Sequence, residues 1–280
     1  MHPEVVGFFD EETFTVSYVV ADPGTRSCAI IDSVLDFDPA SGRTGHRSAE
    51  RLLAHVAAQD LKVEWILETH VHADHLSACD ILKTRLGAKL GIGEHVAAVQ
   101  TAFGDVFDAG TGFARDGRQF DRLFKDGESF GMGTLTARVM HTPGHTPACI
   151  SYVIGDAIFV GDTLFMPDYG TARCDFPGGD AAQLYRSIQR IFALPPETRV
   201  FLCHDYKAPG RDAYRWETTV AEQRAKNVHI HDSITEAEFV AMRTERDKTL
   251  TMPKLILPAV QVNMDAGRLP KFLKIPVDAF

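Results

Sequence analysis

The chain lacks several features that would assign a cofactor or a compartment at once. No GxSxG elbow, P-loop or GxGxxG occurs in its 280 residues. The five cysteines are odd in number, scattered and without a CxxC pair, which is typical of reduced cytoplasmic thiols. The N-terminus shows no basic stretch followed by an apolar core, and no apolar run approaches the roughly 20 residues of a membrane helix. We therefore expect a cytoplasmic protein without a secretion signal.

Positive charge is also scarce. Lys and Arg number 29 against 38 Asp and Glu, which gives a formal net charge of −9. Because there is no basic stripe, we expect neither nucleic acid nor an anionic membrane as a partner. What is present is the composition of an ordinary globular protein, 45% hydrophobic and 24% charged, long enough for one large core or two modest ones.

One stretch, Glu68-Thr69-His70-Val71-His72-Ala73-Asp74-His75, carries three imidazoles and the carboxylate of Asp74 close together. It follows an apolar run at 63–67 that predicts a buried strand, and open α/β sheets place their chemistry at the carboxyl ends of strands. His70 and His72 are two residues apart, so an extended backbone projects both to the same side. Burying these groups is costly unless a cation or hydrogen bonds satisfy them. The stretch therefore predicts a metal site.

Three later predicted strands also end in residues that can bind a metal. His145 follows one strand through a Pro-Gly turn, and Asp162 and His204 end two others, so we expect all three to share one site with His70. Imidazoles and carboxylates without thiolates suit zinc, iron or manganese. Two histidines and one carboxylate would form the triad of non-haem ferrous oxygenases, whereas the whole cluster could hold two zinc ions that share a hydroxide. The spacing leaves both possibilities open.

The hydrophobic pattern predicts a strand–helix–strand arrangement in the first half of the chain and a return to β structure after it. We interpret residues 1–210 as a catalytic core and residues 211–280 as an extension packed on that core. Strands are predicted within 12–32, at 63–68, at 88–92, within 129–162 and at 200–203; helices at 48–59, 94–103, 180–194, 216–226 and 236–248; and loops at 35–46 and 104–128, the second of which could overhang a site.

Several polar side chains near the predicted site have two interpretations each. His204 could bind a second metal or hydrogen-bond to a ligand, and Asp32 could cap a turn or orient an imidazole. Arg173 could hold a substrate carboxylate or pair with Asp175, and we prefer the first. Asp175 and Asp205 could orient imidazoles or be ordinary loop acids, His141 is interpreted as a structural turn residue, and Cys149, Cys174 and Cys203 are interpreted as packing residues.

Together these residues resemble the metallo-β-lactamase superfamily. The resemblance lies in His70-Val71-His72-Ala73-Asp74-His75, Thr142-Pro143-Gly144-His145-Thr146, Gly161-Asp162-Thr163 and His204. It implies an α/β fold, namely an αββα sandwich of two mixed β-sheets flanked by helices, with the metal at one edge and a C-terminal helical extension.

Within that superfamily the chain resembles the persulfide dioxygenases, and in particular their bacterial β-lactamase-hydrolase-like members. Residues 68–75, 141–146, 173–176 and 204–206 carry the first resemblance, and residues 91–95, 216–224 and 257–263 the second. One departure is Ala172-Arg173-Cys174-Asp175-Phe176, where the mitochondrial-type members have Gly-Arg-Thr-Asp-Phe.

The resemblance implies one ferrous ion per chain, held by His70, His145 and Asp162. The implied reaction takes glutathione persulfide, dioxygen and water to glutathione and sulfite, as in sulfide oxidation. We also expect a homo-oligomer. Six further residues would orient the ligands or hold a second metal, namely His72, Asp74, His75, His204, Asp205 and Asp175. Tyr206 is the candidate catalytic side chain. The candidates to position the substrate are Arg173, Tyr206 and Lys207.

The main alternative is a dinuclear zinc hydrolase of thioesters or lactones, similar to glyoxalase II. It would use two zinc ions in place of one iron. Its ligands would be His70, His72, Asp74, His75, His145, Asp162 and His204. The segments that follow Trp216 favour the dioxygenase, because they do not resemble glyoxalase II.

Overall fold

Fifteen strands and seven helices make up the fold, which we describe over residues 2–279 of a computed structural model. The strands are β1 (Glu4–Asp10), β2 (Thr15–Ala21), β3 (Ser27–Ile31), β4 (Val34–Asp38), β5 (Arg43–Gly45), β6 (Lys62–Leu67), β7 (Leu76–Ser77), β8 (Lys89–Gly93), β9 (Arg122–Phe124), β10 (Ser129–Met132), β11 (Leu135–His141), β12 (Ile150–Ile154), β13 (Ala157–Phe159), β14 (Arg199–Phe201) and β15 (Glu217–Thr219). The helices are α1 (Arg47–Ala58), α2 (Cys79–Leu86), α3 (Val96–Val106), α4 (Ala181–Phe192), α5 (Val220–Lys226), α6 (Glu236–Asp247) and α7 (Ile256–Asn263).

Two mixed six-stranded sheets form the centre of the molecule. The first has the order β1-β2-β3-β6-β8-β9, with antiparallel pairs among β1 to β3 and parallel pairs from β3 to β9. The second has the order β10-β11-β12-β13-β14-β15 and is antiparallel except between β13 and β14. The unit β6-α2-β8 is the predicted strand–helix–strand crossover. A small third sheet, β5-β4-β7, lies beside the first.

Apolar side chains pack between the sheets and on both of their outer faces. Between the sheets, Tyr18 and Ile31 of the first pack with Tyr152 and Phe159 of the second. A second cluster joins the first sheet to α1, α2, α3 and α7, and a third joins the second sheet to α4, α5 and α6. Because each sheet buries both of its faces, four layers result. The expected αββα sandwich is confirmed.

Residues after 210 are part of these layers. Strand β15 pairs with β14 at the edge of the second sheet. Phe239 of α6 packs in the third cluster, and Val260 of α7 packs in the first-sheet cluster. Helix α6 begins with a capping box, in which Thr235 and Glu238 satisfy each other's backbone N–H groups. The division into residues 1–210 and 211–280 stays a prediction.

Several local predictions were wrong. Strand β1 was not foreseen, and residues 35–46, predicted as a loop, contain strand β5 and most of β4. The predicted helix at 216–226 is strand β15 followed by α5, because its first residues pair with β14. None of residues 104–128 lines the cavity beside the candidate site. Among the described residues, we find no helix with the length and apolar character that crossing a membrane requires.

Candidate metal centre

The loop that follows β6 carries His70, His72 and His75, whose side chains are fully buried. Strand β12 of the second sheet holds this loop. The Tyr152 hydroxyl of β12 donates to the backbone carbonyl of Glu68 (3.0 Å), and the backbone N–H of Ile150 donates to that of Thr69 (2.9 Å). The loop therefore has a fixed path at the carboxyl end of β6, as the sequence predicted.

His70 is oriented by a relay of hydrogen bonds to Asp32. Its Nδ1 lies 3.0 Å from the Thr69 hydroxyl, and that hydroxyl donates to Asp32 Oδ2 at 2.9 Å. Asp32 also accepts the Thr69 backbone N–H and a bond from His72 Nε2 at 3.0 Å. The relay places the proton of the His70 ring on Nδ1 and leaves Nε2 free to bind a cation. Of the two interpretations of Asp32, the geometry supports the one in which it orients imidazoles.

His145 lies in a tight turn between β11 and β12. Gly144 permits the turn, since its φ is +141° and an added Cβ would lie 2.4 Å from the backbone of Leu184. His145 Nδ1 lies 2.8 Å from the backbone carbonyl of Arg173, and its ring packs edge-on against Phe176. As with His70, Nε2 is therefore the nitrogen that faces the site.

Asp162 follows β13 and completes a group of three. Its Oδ2 lies 3.9 Å from His70 Nε2 and 3.7 Å from His145 Nε2. One ligand atom from each residue lies within 4.8 Å of the others, and all three residues are buried. We name His70, His145 and Asp162 the first group. The structure thus brings together the three residues predicted to hold one metal ion.

A second group lies next to the first and consists of His72, Asp74, His75 and His204, whose ligand atoms also lie within 4.8 Å of one another. His204 Nε2 is 3.1 Å from Asp74 Oδ2 and 3.2 Å from Asp162 Oδ1, so Asp162 lies between the two groups. The other nitrogen of His204 faces the Phe14 carbonyl (3.3 Å) and the Thr15 hydroxyl (3.4 Å).

The donor atoms fit a cation. Several buried atoms of these residues make no hydrogen bond of acceptable geometry within residues 2–279, even where His204 Nε2 lies close to the two carboxylates, and this is costly unless a cation is bound. They include His70 Nε2, His72 Nδ1, Asp74 Oδ2, His75 Nε2, Asp162 Oδ1 and His204 Nε2. Two imidazoles and one carboxylate suit iron as well as zinc.

Buried acids behind the cluster interact strongly with His72. Burial and the nearby Asp32 carboxylate raise the pKa of Glu68 to about 8. Burial alone would lower the pKa of His72, but the charge and hydrogen bond of Asp32 outweigh it and raise that pKa to about 9. Burial also raises the pKa of the Cys203 thiol well above its usual range, and the carboxylates of Asp32 and Asp162 add to the effect. Cys203 thus stays protonated, in line with a packing role.

A cavity of about 370 Å³ opens onto the first group, within the usual size range of small-molecule sites. It is lined by side chains from loops that join strands of both sheets, from the segment before α4 and from the C-terminal extension. Arg246 of α6 and Lys254 line it and have no ion pair within residues 2–279. The lining also includes Phe14, Asp74, His145, Asp162, Phe165, Tyr169, Arg173, Phe176, Tyr206, Arg243 and Met252.

The predicted substrate residues have different outcomes. Tyr206 lines the cavity, and its ring stacks on that of His204. Arg173 also lines it, but its guanidinium bonds to both oxygens of Asp175 (2.5 and 2.6 Å), which favours the ion-pair interpretation over the substrate one. Lys207 does not line the cavity; its ammonium lies 4.1 Å from the centre of the Tyr214 ring instead.

Asp205 and His141 are also engaged away from both groups. Asp205 accepts from the Arg211 guanidinium at 2.5 and 2.6 Å, so it orients a loop rather than an imidazole. His141 Nε2 lies 2.9 Å from the Pro147 carbonyl, in keeping with a structural role in the turn.

Sequence reasoning did not find the residues that support the site from the C-terminal extension. Asn263 bonds to the loop that carries His72 and His75, while Arg243 and Asp247 bond to the segment around Arg173. A polar residue at the end of the mostly apolar helix α7 was the available signal for Asn263. Arg243 and Asp247 look like an ordinary i,i+4 surface pair in the sequence.

Comparison with known proteins agrees with this geometry. The family model described as "Metallo-beta-lactamase superfamily" matches residues 10–204. A "Probable metallo-hydrolase" of Burkholderia pseudomallei strain 1710b is 58% identical, over 98% of this chain and 99% of that protein. A "Beta-lactamase hydrolase-like protein" of Xylella fastidiosa strain Temecula1 is 52% identical over 99% of this chain, which spans 65% of that protein. The crystal structure of ETHE1 from Myxococcus xanthus is 32% identical, with a TM-score of 0.75 over 95% of this chain and 100% of that one. The chain belongs to the metallo-β-lactamase superfamily, in the branch that includes the ETHE1 persulfide dioxygenases.

Proposed function

We propose that this protein is a mononuclear non-haem iron persulfide dioxygenase, which oxidises glutathione persulfide with dioxygen and water to sulfite and glutathione. The observation that carries the proposal is the composition of the first group. His70, His145 and Asp162 lie together there without His72, which belongs to the second group. Two histidines and one carboxylate with open positions are the ligand set of non-haem ferrous oxygenases.

The chain's own residues prepare this ligand set. The Thr69 hydroxyl lies at Nδ1 of His70, and the Arg173 carbonyl lies at Nδ1 of His145. Both rings therefore present Nε2 to the same point. When bound, ferrous iron would supply a redox-active centre with coordination positions left for oxygen and sulfur. All three side chains are buried, and His145 and Asp162 also line the cavity, through which a substrate would reach that point.

The cavity suits a substrate with carboxylates. Arg246 and Lys254, which have no ion pair among the described residues, place two cations along it, although the chain as a whole is acidic. Glutathione carries two carboxylates, and exposed cations attract such groups. Tyr206, Phe14 and Phe165 supply an aromatic wall nearer the metal groups, and we propose that Tyr206 positions the substrate's sulfur end.

A second candidate is a dinuclear zinc hydrolase of thioesters or lactones. The intact second group favours it, because His72, Asp74, His75 and His204 could hold a second ion beside the first. In this function Asp162, which lies between the groups, would contact both ions. The name of the Burkholderia relative agrees with hydrolase chemistry.

Oxygen uptake separates the two candidates. Protein reconstituted anaerobically with ferrous iron should consume dioxygen when glutathione persulfide is added, with sulfite appearing in step. His145→Ala should abolish the uptake, whereas His46→Ala, at an exposed histidine before α1 and outside both groups, should preserve it. Protein with confirmed bound iron and no uptake would rule out the dioxygenase; zinc-loaded protein should then be tested on thioesters and lactones.

The second group gives an independent comparison. His75→Ala removes one of its four members and leaves the first group whole. The dioxygenase should keep most of its oxygen uptake in this variant, because the proposed iron ligands are intact. A dinuclear hydrolase should lose most of its activity and bind one zinc ion instead of two.

A further inference from the structure

The backbone carbonyl of Arg173, which accepts the His145 Nδ1–H, belongs to a segment between β13 and α4 that has no regular secondary structure of its own at this point. A carbonyl in such a segment can hold an imidazole only if the peptide itself is fixed. Two contacts from helix α6 fix it, one on each side of Arg173. The Arg243 guanidinium donates to the carbonyl of Thr171 at 3.1 Å, and Asp247 Oδ2 accepts the backbone N–H of Cys174 at 2.9 Å.

Arg243 and Asp247 are bonded to each other within this arrangement. Arg243 Nε donates to Asp247 Oδ1 at 2.9 Å, one helical turn away. Arg243 is 1% exposed and Asp247 is 7% exposed, so this ion pair lies in the interior. A buried ion pair contributes little net stability compared with apolar side chains of similar size. Because the pair is bonded to the segment around Arg173, we infer that it has a role other than stabilising the fold.

We propose that Arg243 and Asp247 position His145 for metal binding by fixing the peptide of Arg173. The chain of contacts runs from α6 to the segment at 171–174, and from the Arg173 carbonyl to the imidazole. Both residues lie beyond the region that the superfamily model matches, which ends at residue 204. The C-terminal extension is then part of the metal centre of this protein. This inference rests on the proposed role of His145 as a metal ligand.

The side chain of Arg173 does not replace this anchor. Its guanidinium bonds to Asp175 and donates to the carbonyl of Thr251 at 2.7 Å, and it lies over the Phe176 ring. Those contacts hold the side chain against one wall of the cavity. The Arg173 carbonyl shares its peptide with the Cys174 N–H that Asp247 accepts, and the Thr171 carbonyl before it is bonded to Arg243. The Thr171 N–H is held separately by His229 and lies further from the Arg173 carbonyl.

The test uses cobalt(II) as the metal probe, so it needs neither persulfide nor oxygen. Asp247→Asn removes the charge and keeps an acceptor for Cys174. The double variant Arg243→Met with Asp247→Leu removes both backbone anchors without leaving a buried charge unpaired, so it should still fold. Asp156→Asn is the matched control, because it breaks the Arg199–Asp156 ion pair at the start of β13 and β14, outside both metal groups. Circular dichroism and the melting temperature verify folding.

Two readouts are recorded for each protein: cobalt affinity, and the exchangeable imidazole N–H resonances shifted by the paramagnetic ion. In the double variant we expect affinity to fall about 10-fold or more, the usual effect of losing a group that orients a metal ligand. The N–H resonance of His145 should broaden by faster exchange with water, while that of His70, held by Thr69, should persist. Asp247→Asn should give a smaller loss, and Asp156→Asn none.

Unchanged affinity and an unchanged His145 resonance in a folded double variant would overturn the inference. Equal broadening of the His70 and His145 resonances would also overturn it, because that result indicates general loosening. Wild-type protein that bound no cobalt would overturn the metal assignment itself. A failure of oxygen uptake alone would instead overturn only the proposed reaction.

Discussion

Asn263 donates a hydrogen bond from Nδ2 to the backbone carbonyl of His72, at 2.9 Å, across 191 residues of sequence. The same amide donates to the carbonyl of His75 (2.8 Å) and accepts the backbone N–H of Ser77 (2.8 Å). One side chain at the end of α7 therefore satisfies three buried backbone groups of the loop that carries the histidines. That loop has almost no regular structure, so its shape depends on contacts of this kind.

Replacement of Asn263 should damage both folding and metal binding. Asn263→Ala leaves three buried polar groups without partners, and we expect a loss of about 2–4 kcal/mol in the free energy of unfolding. Urea unfolding measures this loss, and a competition assay with a chelator measures the accompanying fall in metal affinity.

Asp22→Ala is the control for that experiment. Asp22 is also fully buried and accepts the backbone N–H groups of Gly24 and Thr134, in the turn after β2 and away from both metal groups. It should lower stability by a similar amount without weakening metal binding. Equal metal affinity in the two variants would contradict a special role for Asn263.

Thr69 provides a test of how His70 is oriented. Thr69→Val keeps the shape of the side chain but removes the hydroxyl between His70 Nδ1 and Asp32. We expect metal affinity to fall roughly 10- to 100-fold, as is usual when a group that orients a ligand is lost. Isothermal titration with ferrous or cobalt ion measures the change.

Thr163→Val is the comparison for Thr69→Val. Thr163 is also a fully buried threonine next to a metal-group residue, but its hydroxyl has no hydrogen-bond partner within residues 2–279. The substitution should leave metal affinity within about two-fold, because no orienting bond is removed. A loss as large as that of Thr69→Val would show that any polarity change near the site weakens binding.

The elements that the sequence predicted best are those set by local pattern. The apolar runs that end at His70, Asp162 and His204 predicted the strands and the sheet edge where the two metal groups lie. This succeeded because the burial of a strand depends on a few consecutive residues. Residues that act over a long sequence distance were missed. Nothing near Asn263 in the sequence indicates that its amide reaches His72, and the burial of Arg243 depends on packing that only the folded chain defines.

The cations of the cavity should control substrate binding rather than the chemical step. Arg246→Gln with Lys254→Gln removes two positive charges that lie on the cavity wall. Exposed charges contribute up to about 1 kcal/mol each, so we expect KM for glutathione persulfide to rise roughly 10-fold with little change in kcat. Initial rates of oxygen uptake, measured over a range of substrate concentrations, separate the two constants.

The salt dependence of KM supplies a second check on these charges. Added salt should raise the KM of the wild-type protein, because it screens exposed cations, and should have less effect on the double variant. Lys248→Gln is the control, since Lys248 is next to α6 but pairs with Glu245 and does not line the cavity. A fall in kcat with unchanged KM would contradict a role in substrate binding.

His229 should make stability depend on pH below neutrality. Its Nδ1 accepts the backbone N–H of Thr171 at 3.0 Å, which requires an unprotonated nitrogen. Burial lowers its pKa to about 4, and the charges of Arg243 and Arg246 add to the effect. Between that value and the ordinary value near 6.5 the unfolded chain binds more protons than the folded one, so stability falls as the pH is lowered through this window.

His229→Asn should reduce this pH dependence, because the amide oxygen can still accept the Thr171 N–H but does not titrate. Urea unfolding at pH 7, 6, 5 and 4.5 should show a smaller decrease in the free energy of unfolding for this variant than for the wild type. His231→Asn, which removes a histidine that bonds to Ser233 instead, should keep the wild-type slope. Parallel curves for wild type and His229→Asn would mean that another group titrates in this window. The segment at 171–174 would then have no pH-sensitive anchor at His229, and its stability in acid would depend on the bonds to Arg243 and Asp247.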